Sequence, residues 1–191
     1  KTPTTHFREV RDSEIDNCYD DKIWQEMVSL GWTGILVPEE FGGSNFGVAG
    51  ISSILEELGR TLTPSPLFST AVVGVSLIKY ASDDVKKDIL TKVVQDGLRL
   101  CFAIEESNHH DPVKISCEAK KDGSDFIISG EKSFVIDGGF ADKVIVACRT
   151  SGEKGSKEGL SLFVLDSDSK DLTITPTKMV DSRNVANMKF E

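Results

Sequence analysis

The stretch SDDVKKDILTKVVQDGLRLCFAIEE, residues 82–106, contains the point at which the hydrophobic pattern of the chain changes. Its first part has the features of a helix. Ser82 is a favoured N-cap, Asp83 and Asp84 suit the positive end of the helix dipole, and Gly97 is a typical stop. Apolar residues recur at helical spacing before Gly97, and the period shifts toward two after it. We therefore predict a helical region followed by a β region.

Upstream of residue 82 the apolar residues are spaced for three further helices. The predicted helices are Ile23–Leu30 ended by Gly31, Val48–Leu58 ended by Gly59, and Ala71–Ala81. Pro64 and Pro66 break any helix between the second and the third. Four large aromatic residues of this half are expected in its core: Trp24, Trp32, Phe41 and Phe46.

Downstream of Gly97 the alternation of apolar and polar residues predicts strands. Val113–Ala119 and Phe126–Ile128 are predicted to form a hairpin around a turn at residues 121–125. Further strands are expected at Val144–Cys148, Leu160–Leu165, Leu172–Thr175 and Val185–Glu191, with a charged loop at Ser151–Glu158. Because the helices precede the strands and none is left to cross over, the predicted fold is α+β with an antiparallel meander or barrel. The predicted domains are residues 1–97 and 98–191.

The composition limits the classes of protein to which the chain can belong. The 191 residues are 39% hydrophobic and 28% charged, which is typical of a soluble globular chain. A formal net charge of −9 argues against nucleic acid and anionic membranes as partners, because both attract basic surfaces. The longest nearly apolar run, Ala71–Ile78, is far shorter than the ~20 residues of a membrane span.

The first residue and the cysteines bear on where the protein is found. The chain begins with Lys1 rather than Met, and residues 1–6 lack the apolar core of a signal peptide. We expect the natural start, with any targeting segment, to lie upstream. The four cysteines, which contain no CxxC pair, predict reduced buried thiols in a cytosol-like compartment rather than disulfides or a zinc site.

Few polar residues indicate a catalytic, metal-binding or phosphate-binding role by themselves. Glu105-Glu106 follows the apolar run Leu100–Ile104 and is interpreted either as an acid–base pair or as two solvated acids at a strand end. His109-His110-Asp111 favours a solvated loop over a metal site, because adjacent strand residues point to opposite faces. Gly42-Gly43 lacks the spacing of a phosphate loop and predicts a tight turn.

Longer motifs carry a family resemblance across nearly the whole chain. The segments are Trp24, Leu30–Ile35, Pro38–Gly43, Leu55–Arg60, Phe102–Ser107, Gly130–Gly138 and Ala141–Arg149. In this order and spacing they resemble the acyl-CoA dehydrogenase family. PEEFGG is similar to its P..YGG opening, FAIEES to its FALTEP strand, and GEKSFVIDG to its GxKxWITNG strand.

The resemblance implies a fold and an activity. The family has an N-terminal helical domain, a middle β-barrel-like domain and a C-terminal four-helix domain, and the third is expected to be absent from this chain. The implied reaction is the FAD-dependent α,β-dehydrogenation of an acyl-CoA thioester to the trans-2-enoyl-CoA, as in lipid metabolism and fatty acid β-oxidation. The catalytic residue is unknown, since the family's glutamate base is expected beyond Glu191, and the fragment alone is expected to be inactive.

The resemblance also implies partners and a location. Electron-transfer flavoprotein is the expected electron acceptor. The expected assembly is a homo- or hetero-oligomer, either a dimer or a tetramer. The expected location is the cytoplasm, or the mitochondrial matrix in a eukaryote.

Motif positions identify the residues expected to contact the flavin. They are Phe102, Ile104 and Glu105 on one strand and Phe134, Val135 and Ile136 on another. Glu105 and Ile136 replace the threonines of the family's TEP and WIT motifs, and Phe134 replaces its tryptophan. The GSD loop that follows TEP is replaced by residues 108–111. A carboxylate at Glu105 would disfavour the anionic reduced flavin and lower its potential.

Two alternatives remain open from the sequence. The lost hydroxyl groups at positions 105 and 136 favour a non-catalytic, FAD-less partner subunit of a heteromeric acyl-CoA dehydrogenase. An acyl-CoA oxidase-like enzyme, in which oxygen reoxidises the flavin, is not distinguished from a dehydrogenase by these residues. The visible spectrum of the full-length protein separates a flavoprotein from a FAD-less subunit.

Overall fold

In the computed structural model, which describes residues 2–13 and 18–191, helices occupy the first half of the chain and strands the second. The residues divide into two units. The first comprises Lys1–Leu100 and Lys178–Asn184, and the second comprises Cys101–Thr177 and Val185–Glu191. The chain therefore returns to the helical unit for seven residues before its last strand, which the hydrophobic pattern does not indicate.

Among its described residues, the first unit contains five α-helices and two shorter helical segments. The helices are α1 (Thr4–Asp12), α2 (Asp21–Ser29), α3 (Gly47–Thr61), α4 (Val75–Ile78) and α5 (Asp83–Gln95). A 3-10 turn covers Glu39–Phe41, and a π-helical segment at Phe68–Gly74 leads into α4. The indole N–H of Trp24 donates to the Gly97 carbonyl at 3.0 Å, which ties α2 to the end of α5 inside the core.

Two of the predicted helix ends are confirmed and two are wrong. Gly31 and Gly97 have left-handed φ angles of +74° and +69° just after α2 and α5, as a glycine stop requires. Helix α3 instead continues through Gly59 to Thr61, and Leu62 ends it at φ +53°. The third predicted helix begins as a π-helix at Phe68, and its α-helical part, α4, ends at Ile78 rather than Ala81. The hydrophobic pattern did not predict helix α1.

The Gly42-Gly43 turn is confirmed. Gly42 has φ +88° after the 3-10 turn, and a Cβ on Gly43 would lie 2.1 Å from the Val37 carbonyl oxygen. Only glycine fits such a close backbone approach. The expectation of an aromatic core holds for Trp24, which is buried, but is wrong for Phe46, whose side chain is 74% exposed at the start of α3.

The second unit is built on a seven-stranded mixed sheet. Its strands are β1 (Leu100–Ala103), β2 (Glu118–Asp122), β3 (Asp125–Ile136), β4 (Lys143–Arg149), β5 (Leu160–Asp166), β6 (Leu172–Lys178) and β7 (Asn184–Phe190). The strand order is β1-β4-β2-β3-β7-β6, and β5, which is outside this order, also pairs with β4. The β2–β3, β3–β7 and β4–β5 pairings are antiparallel, whereas Glu118 and Arg149 join β2 to β4 in parallel. The α+β prediction is confirmed, with a sheet that is mixed rather than purely antiparallel.

The predicted hairpin is present but begins later than expected. Strands β2 and β3 pair from Glu118 opposite Ser129 to Asp122 opposite Asp125, so the turn is Gly123-Ser124. Residues 113–117 keep the alternating burial that the sequence shows, but they lie outside the strand. The amide of Cys117 donates to a Glu106 carboxylate oxygen instead of to a neighbouring strand.

All four cysteines are buried free thiols, and the sulfur atoms of Cys117 and Cys148 lie 3.8 Å apart. In the part of the chain that the structure describes, no helix has the length and apolar character needed to cross a membrane.

Candidate functional site

The two groups of residues expected to contact a flavin lie side by side in the second unit. The amide of Ser133 on β3 donates to the Glu105 carbonyl oxygen, just beyond β1, at 2.8 Å. This bond brings the segment Phe102–Glu105 against the segment Phe134–Ile136, although about thirty residues separate them in sequence. The two predicted segments are therefore joined at Glu105 and Ser133.

A β-bulge presents the ring of Phe134 to solvent. The register of β3 against β7 shifts between Lys132 and Val135, and Phe134 within this bulge has φ +53°. Its amide reaches the side-chain oxygen of Asn187 at 3.4 Å. The left-handed conformation costs a bulky residue about 1–2 kcal/mol, and such strain collects at functional sites. The Phe134 side chain is consequently 56% exposed.

The other predicted residues divide between surface and core. Ile136 is 39% exposed, whereas Val135 is 2% exposed and belongs to the hydrophobic core of the unit. Phe102 and Ile104 are half-buried against the same core. Val135 is therefore buried, while the other five residues reach the surface at least in part.

The chemistry of this surface fits a flavin. A flavin ring offers flat apolar faces and a polar edge that needs hydrogen-bond partners. The exposed Phe134 ring supplies an apolar face, and Glu105, whose carbonyl accepts from the amide of the adjacent Ser133, supplies a polar side chain. The hydroxyl of Ser133 is buried and has no hydrogen-bond partner among the described residues. Such an orphaned group next to an exposed ring is a feature that a bound ligand explains.

Glu106 is neither a solvated acid nor a free acid–base group. Its carboxylate accepts from Lys132 Nζ at 2.8 Å and from the amides of Ser116 and Cys117 at 2.6 and 2.8 Å. Burial by itself would raise the pKa of Glu106, but the bonds from Lys132 and the two amides hold that pKa below its ordinary value. Neither interpretation of Glu105-Glu106, as an acid–base pair or as two solvated acids, therefore describes Glu106, which is a structural anion.

Lys132 is a buried cation that the sequence analysis did not single out. Its side chain has no exposed surface, and its ammonium group also donates to the Ile104 carbonyl at 3.2 Å. The Lys132–Glu106 pair therefore fixes the end of β1 against β3. Lys132 lies within the GEKSFVIDG motif, which was the only sequence signal that could have found it.

The residues that follow Glu106 form an exposed loop. His110 Nδ1 bonds a carboxylate oxygen of Glu105, and Asp111 pairs with Lys114 at 3.0 Å. A hydrogen bond from Lys114 holds the pKa of Asp111 below its ordinary range. Among the described residues no cluster of three or more His, Cys, Asp or Glu side chains is placed to hold a metal ion.

A groove of about 340 Å³ is lined mainly by residues of β3, β6 and β7. Its lining includes Ser133, Thr173, Thr175, Asn187, Glu131, Lys189 and the Glu106–Lys132 pair. Ser133 of the bulge therefore contributes to a groove lined by hydroxyl and charged groups.

Comparison with known proteins shows similarity over nearly the whole chain. Residues 4–96 match the family model described as "Acyl-CoA dehydrogenase, N-terminal domain", and residues 101–191 match "Acyl-CoA dehydrogenase, middle domain". The acyl-CoA dehydrogenase FadE12 of Mycobacterium tuberculosis is 34% identical over 84% of this chain. The cyclohex-1-ene-1-carbonyl-CoA dehydrogenase of Geobacter metallireducens is 32% identical over 72% of it.

Solved structures show the same relationship. A variant of the Tcur3481-Tcur3483 steroid ACAD superposes with a TM-score of 0.85 and 28% identity, covering 98% of this chain and 50% of that one. The match covers 42% of FadE12 and 37% of the Geobacter enzyme, so the chain spans less than half the length of these curated relatives.

Proposed function

Because the chain belongs to the acyl-CoA dehydrogenase family, we propose that it forms the N-terminal and middle domains of an enzyme that converts an acyl-CoA thioester to the trans-2-enoyl-CoA. The domains in this proposal are residues 1–97 and 98–191. The observation that supports it is the Ser133–Glu105 hydrogen bond, which joins the two segments proposed to contact the flavin, next to the Phe134 bulge.

The residues of this surface would hold FAD. When bound, FAD accepts the hydride that leaves the β carbon of the thioester. The Phe134 ring would pack against the flavin, and the half-buried Phe102 and Ile104 would extend the apolar contact. The buried Lys132–Glu106 pair keeps both segments in register, so the apolar surface is preorganised before a ligand arrives. No residue of the chain is assigned as the base that removes the α proton; in this proposal it lies outside residues 1–191.

The substrate is proposed as a CoA thioester with a bulky or ring-bearing acyl group. Two of the proteins that this chain resembles are named for a cyclohexene carbonyl thioester and for a steroid, at 32% and 28% identity. The proposed electron acceptor is electron-transfer flavoprotein. A dimer or tetramer, of one or two kinds of subunit, is the proposed assembly, and the cytoplasm is its proposed location.

The proposal is tested with the visible spectrum of the purified full-length protein. We expect flavin absorbance close to one equivalent, and we expect anaerobic addition of an acyl-CoA to bleach it. A panel of straight-chain and cyclic thioesters compares the rates of bleaching and so ranks the acyl groups. A protein that stays colourless after added FAD would overturn the proposal and support the FAD-less partner subunit.

The same preparation separates a dehydrogenase from an oxidase. The bleached protein is mixed either with electron-transfer flavoprotein or with oxygen, and the return of absorbance is followed. We expect fast reoxidation by the flavoprotein and slow reoxidation by oxygen. Fast reoxidation by oxygen would identify an oxidase.

A further inference from the structure

Two cysteines of the second unit bring their side chains together in its core. The sulfur atoms of Cys117 and Cys148 lie 3.8 Å apart, and the two residues are 1% and 0% exposed. The amide of Arg149 donates to the Cys117 carbonyl at 2.7 Å, and the next residue, Glu118, pairs with Arg149 between β2 and β4. Cys117 therefore lies beside Cys148 at the point where β2 joins β4.

This arrangement meets the geometric requirement of a disulfide bond. The bond needs Cα atoms about 4.4–6.8 Å apart, and paired strands lie about 4.8 Å apart. The two sulfur atoms are already in contact, so a small rotation of the side chains closes the bond. The β3 backbone at Gly130 packs against Cys117 so closely that a Cβ there would lie 3.0 Å from the Cys117 sulfur, which limits the directions in which this side chain can turn.

The surroundings make the two thiols chemically different. The hydrogen bond that Cys148 donates lowers the pKa of Cys117 more than burial raises it, and the charge of Lys132 lowers it further. The same hydrogen bond, followed by burial, raises the pKa of Cys148. Because the thiolate is the nucleophile, Cys117 is the first of the two to react with an oxidant, and Cys148 is the second.

The segment that carries Cys117 gives an oxidant a route to the pair. Residues 113–117 precede β2, and the amides of Ser116 and Cys117 donate to the Glu106 carboxylate at 2.6 and 2.8 Å. Lys114 and Ser116 in this segment are exposed. Opening these few residues exposes Cys117 without unfolding the sheet, because the two amides are bonded to a side chain and not to a neighbouring strand.

We propose that Cys117 and Cys148 are a reversible disulfide site, oxidised by hydrogen peroxide. The Cys117 thiolate attacks one peroxide oxygen, the O–O bond breaks, and a sulfenic acid and one water form after proton uptake. Cys148 then loses its proton and attacks the sulfenic sulfur, so that the S–S bond forms, the S–O bond breaks and a second water leaves. The two sulfurs together supply the two electrons that reduce the peroxide. The bond fastens residue 117 to β4. This inference goes beyond the proposed function, since it requires no flavin.

The test is peptide mapping of the full-length protein after mild treatment with hydrogen peroxide in its folded state. Remaining thiols are blocked with N-ethylmaleimide during unfolding, and the protein is digested without reductant. We expect one pair of peptides joined through Cys117 and Cys148, lighter by two hydrogen atoms than the separate peptides, and we expect dithiothreitol to release them. Recovery of both cysteines as blocked thiols, or of Cys117 only as sulfinic or sulfonic acid, would overturn the inference.

The unfolded chain and two variants serve as controls. Cys101 is nearer than Cys148 to Cys117 in sequence, so loop closure in urea favours a Cys101–Cys117 pair. In the folded protein burial, followed by the Asp137 carboxylate, raises the pKa of Cys101, and this thiol should stay free. Cys148→Ala should leave Cys117 as a sulfenic acid that dimedone traps, whereas Cys101→Ala should form the same link as the wild type. A Cys101–Cys117 link in the folded protein, or loss of the wild-type link in Cys101→Ala, would overturn the inference.

Discussion

Replacing Lys132 with methionine should weaken the second unit without affecting the first. Lys132 Nζ lies 2.8 Å from Glu106 and 3.2 Å from the Ile104 carbonyl, and its side chain is wholly buried. Methionine fills a similar volume but leaves the Glu106 carboxylate without its counter-ion. Breaking a buried pair in this way costs about 3–5 kcal/mol. Since Glu106 retains two amide donors, we expect about 3 kcal/mol, at the lower end of that range.

Hydrogen exchange in the full-length protein measures this loss of stability separately for the two units. Both tryptophans, Trp24 and Trp32, lie in the first unit, so their fluorescence does not follow the second. Peptides covering residues 118–136 should exchange about a hundredfold faster in Lys132→Met, because each 1.4 kcal/mol is a factor of ten. Peptides from the first unit should exchange as in the wild type.

Lys120→Met is the control for loss of a lysine on a neighbouring strand. Lys120 is 77% exposed and its pair with Glu118 at 3.0 Å is on the surface, where ion pairs contribute little. If Lys132→Met changed exchange in 118–136 no more than Lys120→Met does, the role given to the buried pair would be refuted.

The pH dependence of the same exchange gives an independent check. The pKa of Glu106 is lower in the folded protein than its ordinary value of 4.5. The stability that it contributes is therefore present above pH 4.5 and is lost as the pH falls through the folded pKa. Without Lys132 the effect of burial dominates, so opening in Lys132→Met should begin at a higher pH. Glu106→Gln should remove this component of the acid sensitivity.

Three further substitutions test the fold, two in the first unit and one in the second. Gly43→Ala should destabilise the first unit by about 1–3 kcal/mol, because its Cβ would lie 2.1 Å from the Val37 carbonyl oxygen. Gly59→Ala, in an open part of α3, should stabilise it by about 0.5–1 kcal/mol, and urea denaturation followed by tryptophan fluorescence compares the two. Equal effects would contradict the close-approach argument. Arg149→Met should speed tryptic cleavage within residues 151–159, because the buried guanidinium donates to three backbone carbonyls of that loop and to those of Val113 and Ile115. Unchanged cleavage would show that the loop is ordered without it.

The sequence predicted the order of elements because local patterns determine it. The segment 113–119 shows both the strength and the limit of such patterns. Its alternation predicted correctly that Ile115 and Cys117 face the core. It could not predict that the Cys117 amide bonds Glu106 rather than a strand, because that depends on a residue eleven positions away.

The candidate site was predicted by motif resemblance and not by physical pattern. Nothing in the local sequence indicates that Phe134 adopts φ +53°, since that conformation is imposed by the pairing of β3 with β7 and by Asn187. The Lys132–Glu106 pair joins residues 26 positions apart, and only the folded sheet brings them together. The return of Lys178–Asn184 to the first unit is also a tertiary feature.

The central claim is that the β3 bulge provides the surface for the flavin. Its most direct test is the FAD content and visible spectrum of the full-length protein carrying Phe134→Ala, compared with Ile127→Ala. Both residues lie on β3 with nearly equal exposure, 56% and 54%, but only Phe134 is in the bulge. We predict that Phe134→Ala loses FAD or shifts its spectrum, that Phe134→Trp retains it, and that Ile127→Ala matches the wild type. Normal FAD content and an unchanged spectrum in Phe134→Ala would contradict the claim.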